Sequence, residues 1–117
     1  MCTGCAAVLR PVNVASVIAV TNSSVAFSCA SSTLQQVRWK RYLPMSNNPI
    51  LLYNGVNTAP GTDPRYDFVF HPKSGRNDLA INRVRLEDGG SFECLQLNTA
   101  AHKVTFQLSV LGTFSLV

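Results

Sequence analysis

The sequence predicts an all-β protein folded as a two-layer sandwich, and three observations carry that prediction. Apolar and polar residues alternate over short runs, as in Val25, Phe27 and Cys29 or in Val104, Phe106, Leu108 and Val110. A period of two marks a strand with one buried face. Turn-forming residues separate these runs, and there is no helical periodicity longer than a corner turn, no repeat and no low-complexity tract. Cys29 and Cys94, 65 positions apart, both fall on the apolar parity of their runs, as does the single tryptophan, Trp39. Inward cysteines on opposed strands can be joined across a sandwich, with an indole packed on the bond.

The elements follow in order. Val12 to Val20 reads as an edge strand in two parts, where Pro11 is tolerated because an edge position need not donate to a ladder. Asn22-Ser23 is a turn, with Asn able to take a left-handed backbone. Ser24 to Ala30 is the next strand, and the polar stretch Ser31 to Gln36 is a loop. Val37 to Leu43 is a strand with Val37 and Trp39 inward and Arg38, Lys40 and Tyr42 outward. After the loop Pro44 to Pro49 comes the strand Ile50 to Tyr53. Asn54-Gly55 is the strongest two-residue turn signal in the chain. Val56 to Thr58 is a candidate for a short further strand, Ala59 to Asp63 is loop, and Tyr66 to His71 is a strand. Beyond the turn Lys73 to Arg76, Asp78 to Val84 is a strand with Leu79 and Ile81 inward. Leu86 to Gly90 makes a corner into the strand Ser91 to Leu97, where Phe92 and Cys94 face in. A short tip, Asn98 to His102, leads to the last strand, Lys103 to Leu111.

At 117 residues the chain is one domain. Residues 11–111 form the domain itself, 1–10 read as an N-terminal tail or leader remnant, and 112–117 as a link to a following domain. The pair Cys2 and Cys5 has neither the strand-to-helix context of a redox motif nor the second pair of a zinc site. It reads as loose thiols on a frayed end, with an intermolecular disulfide as the alternative. No run approaches the roughly 18 apolar residues of a membrane span. The start also lacks the charged and apolar regions of a complete signal peptide. An excised ectodomain fits these facts, touching a membrane only through an anchor outside this sequence. The sequon Asn22-Ser23-Ser24 marks Asn22 as a candidate N-glycosylation site, which requires the secretory route and an exposed turn.

The net charge of +4 arises from ten basic and six acidic residues. Arg38, Lys40 and Arg41 cluster on one strand, whereas Arg83 and Arg85 lie near the corner, a spread that serves solubility rather than nucleic-acid binding. No basic tract is interleaved with aromatic residues as single-stranded nucleic acid requires. His71 at a strand end and His102 at a loop tip have no carboxylate pair or nucleophile motif placed to join them, so no catalytic residue is assigned. Asp63 and Asp67 alone do not make a calcium site, and no metal or cofactor is expected.

Cys29, Trp39 and Cys94, with Leu79, Ile81, Asp88, Gly90 and Phe92, resemble a variable-type (V-set) immunoglobulin domain from the first strand to the end of the last. The stretch Trp39 to Tyr53, with Pro44 and Ile50-Leu51-Leu52-Tyr53, resembles the part of antibody and T-cell-receptor variable domains that joins strands C and C′. Constant-type domains lack C′, which favours the variable type. The resemblance implies two antiparallel Greek-key sheets, a Cys29–Cys94 disulfide packed on Trp39, and a core containing Leu79, Ile81 and Phe92. Such a disulfide stabilises by about 4 kcal/mol on the chain-entropy model and implies an extracellular place, secreted or on the cell surface. It also implies an Arg65–Asp88 salt bridge closing the bottom of the sandwich. Two departures stand out. Phe92 occupies the place of the family's corner tyrosine, so that hydroxyl bond is expected to be absent, with Gly89-Gly90 letting the corner close. The Phe-Gly-x-Gly bulge of antigen receptors, expected between His102 and Thr105, is missing. The chain is therefore more similar to non-rearranging V-set domains of innate, adhesion or invertebrate-chordate receptors.

In V-set domains the face of strands G, F, C and C′ is the usual recognition face. By parity its outward residues here are Arg38, Lys40, Tyr42, Leu51, Tyr53, Glu93, Leu95, Leu97, Thr105 and Gln107. Leucines and tyrosines with a basic rim mark an interface. Glu93 is expected to face Lys40 or Arg38. The expected function is an immune or cell-adhesion receptor domain that binds a protein partner, or itself as a homodimer, through this face. The alternative is a soluble innate binder of anionic glycans or microbial surfaces through basic loops.

Overall fold

The computed structural model describes residues 14–30, 37–96 and 103–112. Cys2 and Cys5, the loop 31–36, Leu97, the tip 98–102 with His102, and the segments 1–10 and 113–117 lie outside the described residues.

Among the described residues eight strands follow one another: β1 (Val14–Val20), β2 (Val25–Ala30), β3 (Val37–Tyr42), β4 (Pro49–Tyr53), β5 (Tyr66–His71), β6 (Arg76–Ile81), β7 (Gly90–Gln96) and β8 (Lys103–Leu111). A 3-10 turn, Leu86–Asp88, separates β6 from β7. The strands form a five-stranded sheet in the order β1-β8-β7-β3-β4 and a three-stranded sheet in the order β2-β6-β5. One pair departs from the expected antiparallel pattern. β1 runs parallel to β8, from Val14 beside Thr105 to Val20 beside Leu111. The chain leaves β1 by crossing to β2 in the opposite sheet, so no hairpin constrains β1 to run against its neighbour. Asn22, with φ of 71°, makes that crossing turn.

Local chemistry explains where the elements differ from the sequence pattern. β6 begins earlier than expected because Gly75, at φ of 62°, closes the turn on the His71 carbonyl and lets Arg76 pair with His71. It ends at Ile81, where Arg83 takes φ of 51°. Val84 remains tied to the first crossing, accepting from the Asn22 amide and donating to the Ser23 carbonyl. The strand expected over Val56 to Thr58 is reduced to one bridge between Tyr53 and Thr58. The Asn54 side chain accepts from the Val56 and Asn57 amides, each at 2.8 Å, and so holds those groups in the turn.

Alternation places the core. Phe27, Cys29, Val37, Trp39, Leu79, Ile81, Val84, Phe92, Cys94 and Leu108 are buried between the sheets. The Cys29–Cys94 disulfide joins β2 to β7 and so fastens one sheet to the other. Phe27 packs between Phe92 and Phe106, with ring centroids at 5.2 and 5.0 Å, and Trp39 lies against Phe106 at 5.9 Å. Aromatic pairs at these distances add to the burial of their own area.

Candidate recognition face

The bottom of the sandwich is closed by a buried polar network that fixes the ends of β3 and β7. Arg65, just before β5, donates from Nη1 and Nη2 to the two carboxylate oxygens of Asp88, both at 2.8 Å. It also donates to the Arg83 carbonyl at 2.8 Å and to Asp63 at 2.9 Å. The Arg85 amide donates to Asp88 Oδ2, the oxygen that also takes Arg65 Nη1, at 2.7 Å. Burial works to raise the Asp88 carboxyl, but the Arg65 guanidinium, the Arg85 amide and the Tyr66 hydroxyl together hold it below the usual carboxylate range. Burial pushes the Tyr66 hydroxyl well above its ordinary value, with the neighbouring Asp88 charge adding to it against Arg41.

Phe92 is fully buried and carries no hydroxyl for the corner. Two residues that the sequence pattern did not assign to the corner fill that role. Tyr66 of β5 donates its hydroxyl to Asp88 at 3.0 Å. Arg41 of β3 donates to the Tyr66 oxygen at 2.9 Å and to the carbonyls of Glu87 and Gly89 at 3.0 and 3.3 Å. Its guanidinium carbon lies 5.0 Å from the centre of the Phe92 ring. Arg41 therefore does not belong to an outward basic cluster with Arg38 and Lys40. It shares the inward parity of Val37 and Trp39, which was the available signal. Gly90 takes φ of 139°, and a Cβ there would lie 2.9 Å from the Tyr42 carbonyl oxygen. The second glycine of the pair is what lets β7 start against β3.

The opposite parity of β3, β7, β8 and β4 builds the outer face. Arg38 and Gln107 are exposed, while Lys40, Tyr42, Leu95 and Thr105 are half-buried. Leu51 is 40 % exposed, whereas Glu93 is only 7 % exposed. Lys40, Glu93 and Thr105 stand side by side on neighbouring strands. Glu93 on β7 faces Lys40 on β3, as expected, and its carboxylate also lies 3.8 Å from Nζ of Lys103 on β8. Tyr53 leaves this face. A bulge opposite Trp39 and Lys40 inserts an extra residue, so both Leu52 and Tyr53 address the core, and Tyr53 stacks on Phe68 at 5.0 Å. Leu97 lies outside the described residues.

The family model of the immunoglobulin V-set domain matches residues 13–111. The chain is an immunoglobulin V-set domain. No curated protein matches it. V-set domains are binding domains for recognition and adhesion, and this V-set domain with its disulfide fits an extracellular or secreted place. On the far sheet of the V-set domain, His71 Nε2 lies 3.0 Å from one carboxylate oxygen of Asp78, and Arg76 Nε lies 3.3 Å from the other. His71 thus has the carboxylate neighbour that the sequence did not reveal. Among the described residues no group of three or more His, Cys, Asp and Glu side chains is placed to hold a metal ion. Asn22 is exposed at the crossing turn.

Proposed function

We propose that this V-set domain is a cell-surface or secreted receptor module of the immune or adhesion type, which binds a protein partner through the outer face of β8, β7, β3 and β4. The observation that carries the reading is the composition of that face. Leu51, Leu95 and the Tyr42 ring lie among Arg38, Lys40 and Lys103, and the carboxylate of Glu93 is sunk beneath them. An apolar centre with a basic rim fits a partner with an apolar contact and acidic surroundings. A second copy fits less well, because a two-fold axis would set these cations against their own copies.

Staining of a panel of cells with the tetramerised domain tests the reading. Leu95→Ser or Arg38→Glu should reduce staining at least about tenfold, the loss expected for central interface residues. Staining that survives both changes would show that another surface binds. The exposed cations Arg38 and Lys103 also favour a second reading, in which the ligand is an anionic glycan. Staining that collapses steeply with salt, and after enzymatic removal of sulfated glycans, would select it. Apolar protein contact persists as salt rises.

A further inference from the structure

The outer edge of the five-stranded sheet is β1, which reads Val-Ala-Ser-Val-Ile-Ala-Val from Val14 to Val20 and holds neither a charge nor a proline. Val14, Ile18 and Val20 are 46, 71 and 43 % exposed, and Leu111 beside Val20 is 54 % exposed. Soluble sandwiches blunt their edges with charges, prolines or short strands, and the other edges here follow that rule. β4 opens on Pro49, and β5 carries Asp67 and His71 between Pro64 and Pro72. The outward residues of β2 are Ala26, Ser28 and Ala30, none of them a large apolar side chain. β4 and β5 also expose Ile50, Leu51 and Val69, but beside Pro49, Asp67 and His71; among the described edges β1 alone joins large exposed apolar residues to a strand without charge or proline.

We propose that β1 is a self-pairing edge, along which two copies of this chain join antiparallel about a two-fold axis through Val17, so that their five-stranded sheets run on as one. The sequence of β1 matches itself under that axis. Val14 faces the second copy's Val20, Ala15 faces Ala19, Ser16 faces Ile18, and Val17 meets its own copy. Opposed residues share a face of the sheet, as strand pairing demands. Ile18 and Val14 also become diagonal neighbours across the joint, within reach of apolar contact.

Charge selects a second copy as the occupant. A two-fold axis brings identical groups together, so a domain of net charge +4 self-pairs best where it carries none. β1 and the outward residues beside it on β8, Thr105, Gln107, Ser109 and Leu111, are all uncharged. The ladder would form about six to eight hydrogen bonds, depending on which parity of β1 points outward. A strand pair buries less than a standard interface, so the dimer forms in the range of tens to hundreds of micromolar, roughly. A two-fold axis normal to the sheet also keeps both outer faces on one side. If the preceding reading of that face is right, the pair presents it twice to the same surface.

Sedimentation velocity of the unglycosylated chain, from about 1 μM to about 500 μM, reads the assembly directly. The wild type should shift from monomer to dimer. Ile18→Lys, at a site exposed enough to leave the fold intact, should weaken association at least about tenfold. Ser16→Glu alone should also weaken it, and an equimolar mixture of the two variants should recover a dimer, because position 16 of one copy faces position 18 of the other. A wild type that stays monomeric throughout overturns the proposal. So does an Ile18→Lys variant that associates as before, or self-association lost in Leu95→Ser instead. That last result would place the contact on the outer face. Cell staining by Ile18→Lys tetramers remains intact if only the edge assignment is at work, so the two readings fail separately.

Discussion

Removing one oxygen atom at the corner tests how this domain manages without the family's corner hydroxyl. Tyr66→Phe keeps the ring, which meets Phe92 edge-on at 6.2 Å, and deletes only the hydroxyl that donates to Asp88 and accepts from Arg41. Both partners are charged, and a hydrogen bond to a charged group contributes about 1.5–3 kcal/mol. The two losses do not simply add. Asp88 keeps the Arg65 fork and the Arg85 amide, and Arg41 keeps the Glu87 and Gly89 carbonyls. A net cost of about 2 kcal/mol is therefore expected, equivalent to a fall in Tm of about 8 °C for a domain of this size. Urea denaturation of the oxidised protein should show a lower midpoint at unchanged slope. In a double-mutant cycle with Asp88→Asn, the coupling should be about 1 kcal/mol. A cost within about 0.5 kcal/mol, the usual range for a surface substitution, together with zero coupling, would refute the claim that Tyr66 braces the corner.

Three further outcomes follow from the same region. Gly90→Ala combines a positive φ with a methyl 2.9 Å from the Tyr42 oxygen and should cost about 2–3 kcal/mol by denaturation. Gly61→Ala, which has positive φ but nothing within 4 Å, should cost only about 1 kcal/mol. Asp88 has a folded-state pKa below its unfolded value, so its contribution is fully present above the unfolded value of about 4 and is lost as pH falls through the folded one. Stability measured from neutral pH into acid should fall along that limb, and Asp88→Asn should flatten the fall; an unchanged limb would mean that other carboxylates set it.

Much of the fold was legible because alternation and turn chemistry are local. β5 and β8 stand where the period-two pattern puts them, and Asn22 takes the left-handed turn that its side chain allows. What stayed hidden depends on how strands meet. Nothing near Leu51, Leu52 and Tyr53 signals that a bulge opposite Trp39 will turn Tyr53 inward onto Phe68. The parallel course of β1 beside β8 follows from where the chain crosses between sheets, which no short stretch encodes. Tyr66 reads as an ordinary strand aromatic, and its bond to Asp88 exists only because β5 and the corner converge. Glu93 does face Lys40 as parity allows, but the ion-pair partner of its carboxylate, Lys103 on β8, is a diagonal neighbour that parity alone does not single out.

The corner and the proposed recognition face are mechanically one object, because β3 supplies both. Its inward residues Val37, Trp39 and Arg41 enter the core and the corner, and its outward residues Arg38, Lys40 and Tyr42 enter the face. Alternation allows no independent adjustment. A shift of β3 that loosened Arg41 from the Glu87 and Gly89 carbonyls would carry Lys40 and Tyr42 with it, one on each side in sequence. The close approach at Gly90 presses the start of β7 against the Tyr42 carbonyl, so the register of Lys40 beside Glu93 is set from the same end. A binding surface built on strands holds its shape only as well as the strands are pinned. Here the disulfide pins β7 at Cys94, and the Arg65–Asp88–Tyr66–Arg41 network pins β3 where the outer face begins. Weakening the network should therefore disturb the Tyr42 end of the face before the Arg38 end, which lies nearer the disulfide along the pairing of β3 with β7.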